Sequence, residues 1–341
     1  MLSPASQVLV RSAELFNSGK WLLVNPTDAH VCQSLGNSDI AVFHQFYDIY
    51  QQSQRAGKKE QHYFAASYPT DQQFDGAVIY MPKAKEHAKM LLANVAACLK
   101  QGASLMLVGE NKSGVKSADK MLEPYCEQVN KIDSARHCAL YGGQVSKVAK
   151  TFNLTEWQTV KQIEVAGITY QICSLPGVFN HGKVDTGTRV LLENLPHYHA
   201  GRVLDFGCGA GIIGCFVALT KPQSKVVMSD VSALAVYCAT QSALLNKLEV
   251  DVIASNGLQD ISPKFTTVIT NPPFHTGIQT DYSVTENFIA GIKNYLTSEG
   301  ALILVANQFL RYAELLEKRF KAVNLIEQTT QFSVYQCHRS K

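Results

Sequence analysis

Over residues 170–341, short apolar runs alternate with longer stretches in which apolar side chains recur every three or four positions. The short runs, at 203–204, 226–229, 252–254, 268–270, 302–305 and 332–336, have the length of buried strands. Between them, 212–220, 233–248, 284–296 and 311–320 carry the spacing of helices that bury one face. This alternation predicts an α/β fold: a mostly parallel sheet with helices on both faces, whose ligands bind outside the carboxyl ends of the strands. Asp205, Asp230, Asn256 and Asn271 all fall at predicted strand ends, so one rim is expected to gather them.

The first half of the chain repeats the second. Ala77-Val-Ile-Tyr-Met-Pro-Lys83 aligns with Val268-Ile-Thr-Asn-Pro-Pro-Phe274, and each is followed by a helical stretch. Gly-Ala and an apolar strand come next in both, at 102–108 and 300–305, and 134–141 takes the place of 331–338. Trp21-Leu-Leu-Val24 is the best candidate for an opening strand. A repeat of this length implies duplication of a whole domain. Two domains are therefore expected, 1–160 and 170–341, joined near 150–172, where Thr155-Glu-Trp157 and Gly167 interrupt the rhythm.

Only the second copy carries candidate chemistry. Asp205-x-Gly-x-Gly-x-Gly211 follows its first strand, and glycines there let the backbone turn tightly and approach a ligand. An acid ahead of the glycines repels a pyrophosphate but can bind the cationic amino end of S-adenosylmethionine. Asp230 closes the next strand, where an acid bonds ribose hydroxyls in nucleotide-type sites or caps the following helix. At 271–274 the chain reads Asn-Pro-Pro-Phe. The prolines have no N–H and leave carbonyls free, the Asn271 oxygen is a second acceptor, and Phe274 offers a flat face. Acceptors and a ring in that order suit an –NH2 conjugated to a ring or carbonyl, although Pro-Pro also ends strands without any function. In the first copy Asn25-Pro-Thr-Asp28 replaces the glycines, and Tyr80 and Lys83 replace Asn271 and Phe274. That copy is expected neither to bind the cofactor nor to methylate, which leaves it substrate docking or structural support.

Composition is that of an ordinary globular chain, 46% apolar and 17% charged, with no run long enough for a membrane span and no signal pattern at 1–10. Nine cysteines at 32, 98, 126, 138, 173, 208, 215, 238 and 337 include no Cys-x-x-Cys, so neither a disulfide framework nor a zinc site is expected and a cytoplasmic protein is. Net charge is only +3, yet 83–150 holds eleven Lys/Arg against six acids. That excess is either a footprint for a polyanion or a solvated helical face.

These motifs resemble, nearly end to end, the family of bacterial small-subunit (16S) ribosomal RNA guanine-N2 methyltransferases that act on guanine 1207. The likeness includes Leu107-Val-Gly-Glu-Asn-Lys-Ser-Gly-Val115, Lys131-Ile-Asp-Ser-Ala-Arg136, Leu175-Pro-Gly-Val-Phe179, Asp230-Val-Ser232, Ala254-Ser-Asn256 and Asn271-Pro-Pro-Phe-His-Thr-Gly277. The Asn-Pro-Pro-Phe-His portion also occurs in large-subunit guanine methyltransferases. Thr276-Gly-Ile-Gln-Thr280 and the compact length point to the small-subunit group.

The resemblance implies two tandem class I, Rossmann-like methyltransferase domains, each with a seven-stranded sheet, of which only the second is active. It implies S-adenosylmethionine as cofactor and 16S RNA in the 30S subunit as partner, with a monomeric chain and no membrane or metal. It places Asp205, Gly207, Gly209 and Gly211 at the methionine end, Asp230 on the ribose and Asn256 near the adenine. Asn271 and the Pro272 carbonyl would hold the guanine amine, with Phe274 stacked on the extruded base beside His275, whose role as a base is not needed. Phe179, Asp185 and Thr188 would line the cofactor pocket, while Asp185 or Thr186 also suits a helix N-cap. Lys112 and Lys116 are candidates for RNA contact. Phe206 and Ile213, larger or different from the usual aliphatics, are expected to change packing only. The rival readings are methylation of large-subunit RNA, DNA adenine or protein glutamine, and a non-catalytic RNA-binding assembly factor.

Overall fold

A computed structural model describes residues 2–56, 62–148, 151–179, 181–262, 264–272, 280–309 and 312–339, with only the backbone described over 280–285. The chain divides into two compact units, Met1–Gln158 and Thr159–Lys341. The first holds strands β1 (Trp21–Val24), β2 (Ile40–His44), β3 (His62–Phe64), β4 (Phe74–Tyr80), β5 (Leu99–Glu110), β6 (Cys126–Ala135) and β7 (Cys138–Val145). Their order in the sheet is β3-β2-β1-β4-β5-β7-β6, and of these strands β7 alone runs antiparallel to its neighbours β5 and β6. Helices α1 (Pro4–Arg11), α2 (Tyr47–Ala56), α3 (Lys85–Ala96) and α4 (Ala118–Leu122) accompany it. Successive side chains of a strand face opposite sides. Leu22 and Val24 of β1 accordingly join one core and Trp21 and Leu23 another, which is why that strand is apolar at every position.

The second unit opens with a hairpin, β8 (Thr159–Val165) and β9 (Ile168–Ser174). Helix α5 (Thr186–Glu193) follows, then β10 (Arg202–Phe206), α6 (Ile212–Thr220), β11 (Lys225–Asp230), α7 (Ala233–Leu245), β12 (Asp251–Ala254) and β13 (Phe265–Thr270). Helix α8 (Thr280–Ile292), β14 (Leu296–Asn307), α9 (Tyr312–Glu317), β15 (Ala322–Gln328) and β16 (Phe332–His338) complete it. The order β12-β11-β10-β13-β14-β16-β15 is that of the first unit strand for strand. Even a bulge recurs, between Phe74 and Gly76 and between Phe265 and Thr267. Counting from those bulges sets Tyr80 on the register position of Asn271, as the sequence repeat predicts.

Several expected boundaries move. The break between units falls at Gln158–Thr159, so the predicted second domain at 170 starts in the middle of a hairpin. That hairpin is fastened to α7: Asn246 bonds both the N–H and the carbonyl of Gln171, and Ser242 Oγ accepts from Cys173 N–H at 3.0 Å. Helix α7 stops at Leu245 because Asn246 is taken by these bonds and Lys247 turns left-handed at φ 56°. Leu296, read as a helix end, opens β14 opposite Phe265. Strand β15 escapes the apolar pattern because most of its residues are exposed or half-buried on an edge. The segment 134–141 straddles the β6–β7 turn, and the true counterpart of β16 is β7.

Candidate active site

The carboxyl ends of β11, β10 and β13 lie side by side, and Thr270 Oγ1 donates to the Phe206 carbonyl at 2.7 Å, locking the two central ends together. The glycine loop leaves β10 between them. Gly207, Gly209 and Gly211 all have positive φ, at 69°, 53° and 80°. Two of them serve different ends. A Cβ on Gly209 would meet nothing within 4 Å, so this position opens outward, as a ligand-facing glycine should. On Gly211 it would meet the Ala239 Cα and the Met228 sulfur at 3.1 Å. Gly211, expected to touch the cofactor, also seats α6 against α7 and β11. From outside the loop, Ser242 Oγ donates to the Ala210 carbonyl at 2.8 Å and Tyr170 Oη to that of Ile212 at 2.9 Å. Neither residue was singled out from the sequence, since both sit in ordinary helix and strand patterns and act only through backbone atoms.

Asp205 is the next-to-last residue of β10 and is 1% exposed. Its Oδ2 accepts the Gly214 N–H at 2.8 Å, while Oδ1 is buried with no hydrogen-bond partner among the described residues. Burial pushes this carboxyl up to about 7; the Gly214 N–H opposes the rise and the charge of Asp230 adds to it. A buried carboxylate oxygen left unpaired costs about 1–3 kcal/mol or more. An arriving cationic or N–H group would relieve that cost, and the amino end of S-adenosylmethionine is such a group.

Asp230 ends β11 with both oxygens engaged: Oδ2 accepts from Gly209 N–H at 3.0 Å and Oδ1 from Ser232 N–H at 2.9 Å. Burial raises its pKa and the N–H groups of Ser232, Gly209 and Val231 lower it. The cap of α7 is Ser232, whose Oγ accepts from Ala235 N–H, so Asp230 is not the cap and instead ties the loop to the helix start. Each of its oxygens keeps a second lone pair for a ribose hydroxyl. Ser255 N–H bonds the Asp230 carbonyl at 2.9 Å, which sets Asn256 beside it on the rim.

Asn271 follows β13 directly. Its Nδ2 donates to Asp185 Oδ2 at 2.6 Å and to Thr188 Oγ1 at 2.9 Å. Asp185 is the N-cap of α5, accepting from Thr188 N–H at 2.9 Å, and Thr188 Oγ1 donates to the same oxygen at 3.2 Å. Asp185 and Thr188, two of the three residues expected to line a cofactor pocket, thus converge on the Asn271 amide. Pro272 is buried beside it. Pro273, Phe274 and His275 lie outside the described residues. Phe179 is 55% exposed at the far end of the same segment. Phe206 stacks on Phe288 of α8, centroids 4.2 Å apart, and Ile213 is buried, so both act in packing.

The same rim in the first unit is filled with its own side chains. Leu23 and His44 stand on the register positions of Asp205 and Asp230. Asn25 and Gln45 exchange bonds of 2.9 and 2.7 Å, and His87 Nε2 meets Gln45 Oε1 at 2.7 Å. Tyr80 is 4% exposed, its hydroxyl 2.7 Å from Ser6 Oγ of α1. Lys112 and Lys116 stand exposed on two short turns after β5. No helix among the described residues is long and apolar enough to cross a membrane.

A parallel sheet with a glycine loop after its first strand, an acid at the end of the second and Asn-Pro at the end of the fourth defines a Rossmann-like methyltransferase. Residues 169–336 match the family described as Methyltransferase small domain, and residues 6–160 match Methyltransferase small domain N-terminal. The chain is 59% identical to Ribosomal RNA small subunit methyltransferase C of Pseudoalteromonas atlantica, with 99% of this chain and 100% of that protein covered. It is 40% identical to the protein of that name from Psychromonas ingrahamii, over 98% and 97%. It belongs to the small-subunit ribosomal RNA methyltransferase C family. Its fold is that of the solved T. thermophilus 16S rRNA N2 G1207 methyltransferase in complex with AdoMet and guanosine, at a TM-score of 0.85 and 21% identity, covering 98% of this chain and 92% of that one.

Proposed function

We propose that this chain methylates the exocyclic N2 amine of guanine 1207 in 16S ribosomal RNA, on the small ribosomal subunit. The observation that carries the reading is the pinned Asn271 amide. With Nδ2 held by Asp185 and Thr188, the amide presents Oδ1, an acceptor, on its other side. Oδ1 and the Pro272 carbonyl hold the two amine hydrogens, so the nitrogen lone pair is turned out of the base plane. Phe274 gives the extruded base a ring to stack on. S-adenosylmethionine supplies, when bound, a methyl group already activated by its sulfonium. Asp205 and the Gly207–Gly209 turn take its methionine end, Asp230 its ribose, and Asn256 and Phe179 its adenine side. The amine can release its proton to water, so transfer requires no base at His275. Positioning in line is the main source of rate.

The first unit has its rim filled by Tyr80 and the Asn25–Gln45–His87 network, which argues against transfer there and leaves it RNA docking or structural support. The chain acts as a monomer in the bacterial cytoplasm. Offering tritium-methyl donor with small subunits, large subunits, DNA and protein in parallel tests the reading. Label is expected in 16S RNA alone, and label in DNA or protein would overturn it.

A further inference from the structure

The first unit holds a cleft of about 320 Å3 that the methyl-transfer reading does not use. Lys85 and Lys89 stand one turn apart on α3, with Leu92 a further turn along the same face, and Lys120 reaches in from α4. Tyr125 and Trp157 stand in the walls with Met121 and Pro124, and among the described residues no acidic side chain lines the cleft. Lys89 also reaches Glu86 at 2.7 Å, an exposed pair of the weakest kind. Trp157 is part-buried on a short turn capped by Asn153, and Phe152 stacks on it with centroids 6.5 Å apart at 28°. Its ring is therefore braced in advance. The sequence points to this region only as a charge excess. The cleft draws on Lys85, Lys89 and Lys120, leaving Lys112 and Lys116 outside its lining.

Cations that take phosphates beside rings that take bases are the chemistry of single-stranded nucleic acid recognition. We infer that this cleft binds a single-stranded stretch of RNA, one base stacked on Trp157 and the flanking phosphates on Lys85, Lys89 and Lys120. The inference rests on the reading of the chain as an RNA methyltransferase, and gives the first unit a defined contact with that substrate. It differs from the transfer site in needing no guanine.

The chain has two tryptophans, and Trp21 is 5% exposed in the core, so a ligand-dependent change in tryptophan emission reports Trp157. The full-length protein is titrated with a guanine-free oligoribonucleotide of about ten nucleotides, within the span such sites cover. Saturable quenching is expected, with the midpoint moved at least about tenfold by the combined Lys85→Glu, Lys89→Glu and Lys120→Glu changes, consistent with phosphate contacts. Trp157→Phe should keep most of the affinity and Trp157→Ala should not. The triple-lysine variant, its fold checked by circular dichroism, should raise KM for small subunits and leave kcat alone. Binding by anisotropy without quenching, or an unchanged midpoint in the triple variant, would overturn the inference. So would equal quenching by heparin, since that marks a site for any polyanion. Turnover on small subunits with no Trp157 response sinks the cleft and leaves the methyltransferase; a Trp157 response with no turnover on any RNA does the reverse.

Discussion

The Asn271 amide donates a 2.6 Å hydrogen bond to the carboxylate of Asp185, 86 positions earlier in the chain. A helix cap and the residue proposed to bind the acceptor thus share one oxygen, because Asp185 Oδ2 also takes the Thr188 N–H.

Asp185→Ser should separate the two roles. Serine caps a helix as well as aspartate does, so melting should change little. A hydrogen bond to a charged group is worth about 1.5–3 kcal/mol, so kcat should fall roughly ten- to a hundredfold, with cofactor affinity nearly unchanged. Steady-state kinetics with calorimetry decides; a weakened cofactor at normal kcat would return Asp185 to the cofactor pocket.

Asp230→Ala should weaken S-adenosylmethionine by about 1.5–3 kcal/mol, the scale for bonds to a charged group. It should also lower stability by about 1–3 kcal/mol, since the N–H groups of Gly209 and Ser232 lose their acceptor. Calorimetry and thermal melting measure both; a mutant with wild-type affinity removes Asp230 from the site.

The order of elements, the duplication and the rim were legible in the sequence because parallel strands buried on both faces are short apolar runs, as at 203–204 and 268–270. The strand-end positions of Asp230 and Asn271 follow from the same pattern. What periodicity could not carry is partnership across long separations. That Asn271 meets Asp185, that Asp230 holds Gly209, and that Gly211 is a packing glycine all depend on neighbours brought in by the fold. Strand β15 stayed hidden because an exposed edge strand needs no apolar face. Lys85, Lys89 and Lys120 form a cleft only when α3 and α4 pack together.

Asp205 makes stability depend on pH. Its pKa is raised to about 7 from an ordinary 3.8, so the folded state holds a proton that the unfolded state has released. Its contribution is full below the unfolded value and is lost as pH rises through about 7. Asp205→Asn should therefore raise stability at pH 8 by up to about 4 kcal/mol and flatten the slope between the two values, while cofactor binding falls. Melting across pH checks this; a parallel slope in the variant would contradict it.

Residues 159–341 expressed alone should bind S-adenosylmethionine as the whole chain does, because every proposed cofactor residue and the β8–β9 hairpin lie within them. Starting at residue 170 removes β8 and should lower the melting temperature. Cofactor binding by 1–158 instead would reverse the roles of the two units.

Nucleoside analysis decides whether Asn271 holds a guanine amine. Small subunits lacking the modification, treated with the protein and S-adenosylmethionine and digested to nucleosides, should yield N2-methylguanosine as the only new product. Asn271→Ala should yield none while binding the cofactor normally. N6-methyladenosine or 5-methylcytidine from the wild type, or full activity in Asn271→Ala, would contradict the account.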